Sequence, residues 1–414
     1  MKLTVSRPLL PTAVVIVLAA TACASTRPAD REAPAKVART GETTGPDAPN
    51  VAEEDDGDVP DPHRVVFADR IGYAYLLVLP PSGRPPSIGR DDIVAIADAA
   101  FEEWKTMPEV AELLEMVRTD PASTRIGPTH VGETDEDLAR TAALRTKAVL
   151  GLHVEVLPLH APGEPPLVPA EQLRDPLLAR DLPEPMRNRY AAASHALLLR
   201  AEYRNVHRVR GLRLLQTLVD HVSRHYDAVI FDFDTKETVR PETFQSRMFR
   251  QDLFNVADQL AVVPLPGLPS DPPGTVRLST RGMRRFGAPD LELAGLPRDP
   301  AVLQAGTHLV NGLARILAEA AEIDPSGFAR EADDEIEIHY RDVDAAYAGR
   351  SAHLAHCEGC PERVRVHLVR RPEVDTDPRG HPVVRIVAPR SISGAPDYDH
   401  AAWVRTALRD LLGA

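Results

Sequence analysis

Three observations predict an α+β fold for this chain of 414 residues. Short apolar runs stopped by proline alternate with stretches of helical periodicity. A long proline-rich stretch divides two such mixed regions. Beyond Glu331 the texture changes to strictly alternating strands followed by one amphipathic helix. The expected architecture is two related α/β sandwich-like modules, each a sheet with crossover helices on one face, plus a small strand-rich C-terminal module capped by a helix. The boundaries fall at 63–160 for the first module, 161–190 for the proline-rich connection, 191–325 for the second module and 330–414 for the C-terminal one.

The elements follow in order. Tyr73 to Leu79 is a buried strand run, stopped by Pro80 and Pro81. Asp91 opens a helix with Ile93, Ile96, Ala97, Ala100 and Trp104 on one stripe. Pro108 suits the first position of a second helix carrying Val110, Leu113, Leu114 and Val117. Thr134 to Asp137 has capping-box form and starts a helix to about Lys147. In the next strand Leu150, Leu152, Val154 and Val156 share a face. After the proline-rich connection, Leu197, Leu199, Ala201 and Tyr203 alternate along a strand, and a helix from Val206 to His225 carries Leu212, Leu215, Val219 and Val222 inward. Ala228 to Phe231 is an apolar strand, Pro241 begins a helix, and strands follow around Val276–Thr280 and Leu291–Leu293. Asp299 caps a helix bearing Leu303, Val310, Leu313 and Leu317. In the last module Ile336, Ile338 and Tyr340 alternate, as do Val364, Val366 and Leu368; Val383 to Val387 is a third strand, and Asp399 to Leu412 a closing helix.

The N-terminus carries the most direct functional signal. Lys2 and Arg7 precede an apolar run, and small residues Ala20, Thr21 and Ala22 stand before Cys23. A basic start, an apolar stretch too short to span a bilayer and small residues before the cut describe an export signal over residues 1–22. Ala20-Thr21-Ala22-Cys23 resembles the lipobox of bacterial lipoproteins. That resemblance implies that Cys23 becomes the new N-terminus and carries fatty acyl chains such as palmitate, so that the membrane is held through a lipid anchor. Ala24, in place of the aspartate that favours inner-membrane retention in that family, points to the outer membrane. Residues 23–62, rich in Pro, Ala, Thr, Gly and acids, lack the apolar surface to fold and read as a tether of roughly 35 Å. A formal charge of −13 argues against nucleic acid as a partner and leaves an envelope protein or ligand.

Arg277 to Leu293 (RLSTRGMRRFGAPDLEL), with Asp234 to Phe244 upstream, is similar to a motif of an uncharacterised family of bacterial domains. The similarity covers about residues 195–322 and implies a fold but no activity. Physically, Gly282, Gly287 and Pro289 suit a tight, fixed turn between strands.

Candidate chemistry is sparse. Asp232-Phe233-Asp234 ends an apolar strand, as the nucleophile and acid/base pair of haloacid-dehalogenase-type phosphatases do, and a phosphohydrolase using Asp232 and Asp234 is the enzymatic alternative. The flap sequence after the second aspartate is missing, with Thr235-Lys236 in its place, and the acidic pair Asp333-Asp334 precedes a strand rather than following one. His221 and His225 stand one helical turn apart but lack the glutamate of a metalloprotease motif, and read as structural. Cys357 and Cys360, with His353 and His356 before them, admit a structural disulfide, a zinc site or a redox pair; an oxidising envelope favours the disulfide. Arg281, Arg284 and Arg285 form a basic cluster that could meet an acidic group or lie on a solvated turn. Phosphate-binding glycine loops and serine-nucleophile elbows are absent. The sequence therefore points to a non-catalytic binding or scaffold protein at the cell envelope, with no catalytic residues, no metal and no cofactor.

Overall fold

A computed structural model describes residues 65–82, 86–118, 148–160, 163, 165–249, 254–323, 330–348 and 359–413. The lipobox with Cys23, the tether, the helix expected over 134–147, His353, His356 and Cys357 lie outside the described residues.

The α+β class holds, in the form of two sheets. The first contains β1 (Ile71–Val78), β2 (Val149–Pro158), β3 (His195–Tyr203), β4 (Val229–Asp232) and β5 (Thr238–Val239), in the order β2-β3-β1-β4-β5, with every neighbouring pair antiparallel. One face packs on α1 (Arg90–Ala100), α2 (Pro108–Arg118) and α5 (Arg210–His225). Alternation along β1 sends Tyr73, Tyr75 and Leu77 into this core. A register shift between Val149 and Gly151 sets Val149, rather than Leu150, into it as well. Trp104 leaves the expected α1 stripe: it sits in a 3₁₀ turn after the helix, 47% exposed. Helix α5 begins at Arg210 rather than Val206 because His207, Arg208 and Val209 all adopt left-handed backbone.

The proline-rich connection is not a linker. It contains α3 (Ala170–Arg174) and α4 (Glu184–Ala191), and Leu173, Leu182 and Tyr190 pack with Leu76, Val78, Val229 and Phe231 on the second face of the first sheet. The expectation of helices on one face only is thus corrected.

The second sheet joins β6 (Ala261–Pro266), β7 (Val276–Arg281), β8 (Asp290–Leu296), β9 (Glu335–His339), β10 (Arg363–Arg370) and β11 (Val383–Val387), in the order β6-β7-β8-β11-β10-β9. It is mixed, since β8 and β11 run parallel. Leu278, Leu291, Leu293 and Leu296 pack against α7 (Pro300–Ala320), with Val404, Leu408 and Leu411 of α10 (His400–Leu412) in the same core. Asp299 caps α7 as expected, accepting from the N–H groups of Ala301 at 2.8 Å and Val302 at 3.2 Å. Among the described residues the remaining α-helices are α6 (Pro241–Arg247), α8 (Tyr340–Ala346) and α9 (Arg390–Ser393).

Sheet membership therefore cuts across the expected modules. β3, β4 and β5 complete the first sheet rather than opening a second, while the C-terminal strands extend the sheet begun by β6–β8. The two sheets differ in topology, which removes the duplication as a description of the fold. They also share one hydrophobic core. The entry segment straps them together: the N–H of Phe67 donates to the Arg330 carbonyl at 3.1 Å and that of Ala68 to the Gly287 carbonyl at 2.7 Å.

Candidate functional site

The Arg277–Leu293 motif sits where the sheets meet. After β7 the chain makes a 3₁₀ turn, Met283–Phe286, framed by Gly282 at φ 110° and Gly287 at φ 78°. A Cβ on Gly287 would stand 2.7 Å from the Ala68 carbonyl oxygen, so this position needs glycine for contact as well as for backbone. Tyr203 Oη donates to the Arg285 carbonyl at 2.9 Å, and Asn205 Nδ2 donates to those of Phe286 at 3.0 Å and Ala318 at 3.2 Å. The turn expected from the glycines is present, and its work is to dock one sheet on the other.

Both aspartates of the Asp232-Phe233-Asp234 string are engaged by arginines of that turn. Arg285, 2% exposed, donates to Asp232 Oδ2 at 3.0 Å, to Gln259 Oε1 at 3.2 Å and to the Tyr73 hydroxyl. Its guanidinium lies 4.5 Å from the Tyr73 ring centroid. Asp232 also accepts from Tyr73 Oη at 2.8 Å and from the N–H groups of Asp234 at 2.9 Å and Thr235 at 3.2 Å. Burial pushes the Asp232 carboxyl up, but Arg285, the Tyr73 hydroxyl and the two backbone donors outweigh it and hold it below the usual carboxylate range. Asp234 is paired with Arg284, whose Nε approaches Oδ2 at 2.9 Å. The two aspartates belong to the turn of an antiparallel β4–β5 hairpin, where the phosphatase arrangement needs the carboxyl edge of a parallel strand. The cavity beside Asp232, about 30 Å³, holds no more than a water or so.

The larger opening lies on the other side of β1. Where the covering helices of the proline-rich segment stop, the floor of the first sheet is made of small residues, Gly72 and Ala74, with Leu198 and Arg200 beside them. The β4–β5 turn, the β7 end with Arg281 and Arg284, and the loop 376–379 form its walls. The cleft measures about 940 Å³, the size of a pocket for a small organic molecule. Five cations line it, Arg200, Lys236, Arg281, Arg284 and Arg379, against two carboxylates, Asp234 and Asp377. Both carboxylates are already taken, Asp234 by Arg284 and Asp377 by Arg371 at 2.7 Å.

Behind this wall, one face of the second sheet carries a buried charge network that sequence reasoning missed. Glu292, 0% exposed, accepts from Arg277 at 2.5 Å, Arg371 at 2.7 Å and Arg385 at 2.8 Å. Asp377 and Asp271 balance the other two charges, with Arg385 on Asp271 at 2.9 Å. Burial raises the Glu292 carboxyl, and the arginine hydrogen bonds more than reverse it. Next to it, Asp290 accepts from the Thr280 hydroxyl at 2.8 Å and the Met283 N–H at 3.2 Å, with His381 Nε2 at 3.6 Å. The alternation Asp290-Leu291-Glu292-Leu293 was the only signal available, and it reads equally well as a solvated face.

His221 and His225 are exposed on α5, and no group of three metal-ligating side chains exists among the described residues. No protein-family model, curated protein or solved structure matches the chain.

Proposed function

We propose that this chain is a lipid-anchored envelope protein, tethered through Cys23, that binds a ligand in the cleft between its two sheets without transforming it. The observation that carries this reading is the cleft itself. It is roomy, floored by small residues and walled by elements from both sheets, whereas the two aspartates of the phosphatase-like string, Asp232 and Asp234, are held in ion pairs with Arg285 and Arg284. Among the described residues no helix is long and apolar enough to cross a membrane. The outer membrane is the proposed site, and a disulfide between Cys357 and Cys360 belongs to the same proposal, because the envelope is oxidising.

The anchor is tested by Cys23→Ser with detergent partitioning and processing. The expected variant is unprocessed or released from the lipid phase; a variant cleaved and membrane-bound like its parent removes the anchor. The binding reading is tested by native mass spectrometry of the full chain purified from cells in nonionic detergent. A co-purifying small molecule that is lost in Ala74→Trp, which fills the cleft floor, supports it. A molecule retained in that variant places binding elsewhere.

A further inference from the structure

The charge balance of the cleft says more than its size. The arginines on the buried face of the second sheet are matched by carboxylates one for one: Arg277, Arg371 and Arg385 against Glu292, Asp377 and Asp271. Arg281, the last residue of β7 on that same face, is the exception. Its guanidinium donates to three neutral oxygens, Ser279 Oγ at 2.7 Å, the Thr280 carbonyl at 2.6 Å and the Thr376 carbonyl at 2.7 Å. It has no carboxylate in ion-pair range among the described residues. Burial lowers its proton affinity, with nearby Asp290 and Asp377 only partly compensating. Removing a guanidinium from water without a counter-charge is costly, and a bound anion would offset that cost.

Two more cations face the same space without a carboxylate partner among the described residues. Lys236, held at φ 61° in the β4–β5 turn, has its ammonium 6.0 Å from the Phe231 ring centroid, and Asp234 and Asp232 attract it without forming an ion pair. Burial lowers its proton affinity too, with the two aspartates only partly compensating. Arg379, on the 376–379 loop that also lines the cleft, is exposed. Three cations with no carboxylate in ion-pair range among the described residues line one cleft of a chain whose formal charge is −13. Leu178, Leu198, Val263 and Phe233 supply apolar surface between them.

We propose that the cleft recognises a phosphate ester carried on an apolar or aromatic body, with Arg281, Lys236 and Arg379 gripping the phosphate. This rests on the binding reading above. A phosphate dianion, with several acceptor oxygens, satisfies a guanidinium fork and two further cations better than a single carboxylate does. The apolar lining receives the remainder of the molecule.

The test is isothermal titration of the full chain in nonionic detergent with phenyl phosphate, with phenol and benzoate as the neutral and monocarboxylate arms. Phenyl phosphate is expected to bind, to weaken with added salt and to exceed both other arms. Lys236→Asn, which keeps a residue tolerant of left-handed backbone, and Arg379→Gln should each weaken it about tenfold, and Arg281→Gln by more. The two exposed variants keep the test decisive should the Arg281 variant fold poorly. Absent binding, or binding unchanged in the Lys236 and Arg379 variants, overturns the assignment. Phenol or benzoate binding as tightly, and lost in Ala74→Trp, overturns the phosphate class while leaving the binding protein standing. Phenyl phosphate binding that survives Ala74→Trp overturns both.

Discussion

At the scale of single residues, Asp290 and His381 show how burial rather than pairing sets charge at the sheet junction. Burial pushes Asp290 up to about 7, against the pull of the Thr280 hydroxyl, the Met283 N–H and Arg281. Burial, then Arg284 and Arg281, takes His381 down to about 4. Near pH 6 both are mostly uncharged, so their 3.6 Å approach is not an ion pair. Asp290 binds its proton more tightly folded than unfolded, where its value is ~3.9. Its contribution to stability is therefore present below about pH 4 and is lost as pH rises through about 7. His381 works in the opposite sense, adding stability as pH rises from about 4 towards ~6.5. Asp290→Asn preserves the acceptor for Thr280 and Met283 while removing the falling slope. Urea unfolding at pH 5 and pH 8 should then show the variant gaining on the parent at the higher pH by roughly 1–3 kcal/mol. Parallel pH profiles would show that Asp290 does not titrate in this range.

At the scale of elements, strands with apolar alternation were legible and those hidden by proline or charge were not. His195–Tyr203 falls where its alternation places it, and Asp299 caps α7, because local periodicity and capping are decided by near neighbours. β6 carries Pro264 and Pro266, which would exclude a central strand; it survives as an edge strand, where one side of the ladder is free. The proline-rich connection lacks periodicity because its helices are short, yet it supplies the cover for half the first sheet. The same holds for the site. The basic cluster and the glycine turn were visible, but the partners of Arg284 and Arg285 come from a hairpin some fifty residues earlier, a separation no local pattern encodes. Leu182, fully buried against that sheet, distinguishes a cover from a linker. Leu182→Ala should cost about 2–5 kcal/mol in denaturant unfolding, as a core cavity does, whereas a change under about 0.5 kcal/mol would restore the linker description.

At the scale of the whole molecule, one hydrophobic core runs through both sheets, and the entry segment ties Phe67 and Ala68 to the second half. Trp104 reports on the first half and Trp403 on the second, and the chain has only these two tryptophans. Single-tryptophan variants, Trp104→Phe and Trp403→Phe, should unfold at one coincident denaturant midpoint. Two separated midpoints would mean that the sheets are independent domains. Arg284 and Arg285 hold both aspartates in ion pairs, and Lys236, Arg281 and Arg379 line the cleft; the function proposed above is that the cleft holds an anion without cleaving it. The most direct measurement is phosphate release from phenyl phosphate, followed with Mg²⁺ at saturating protein. The expected result is binding with no release above the buffer rate. Release that persists in the parent and disappears in Asp232→Asn, with binding unchanged, would contradict it.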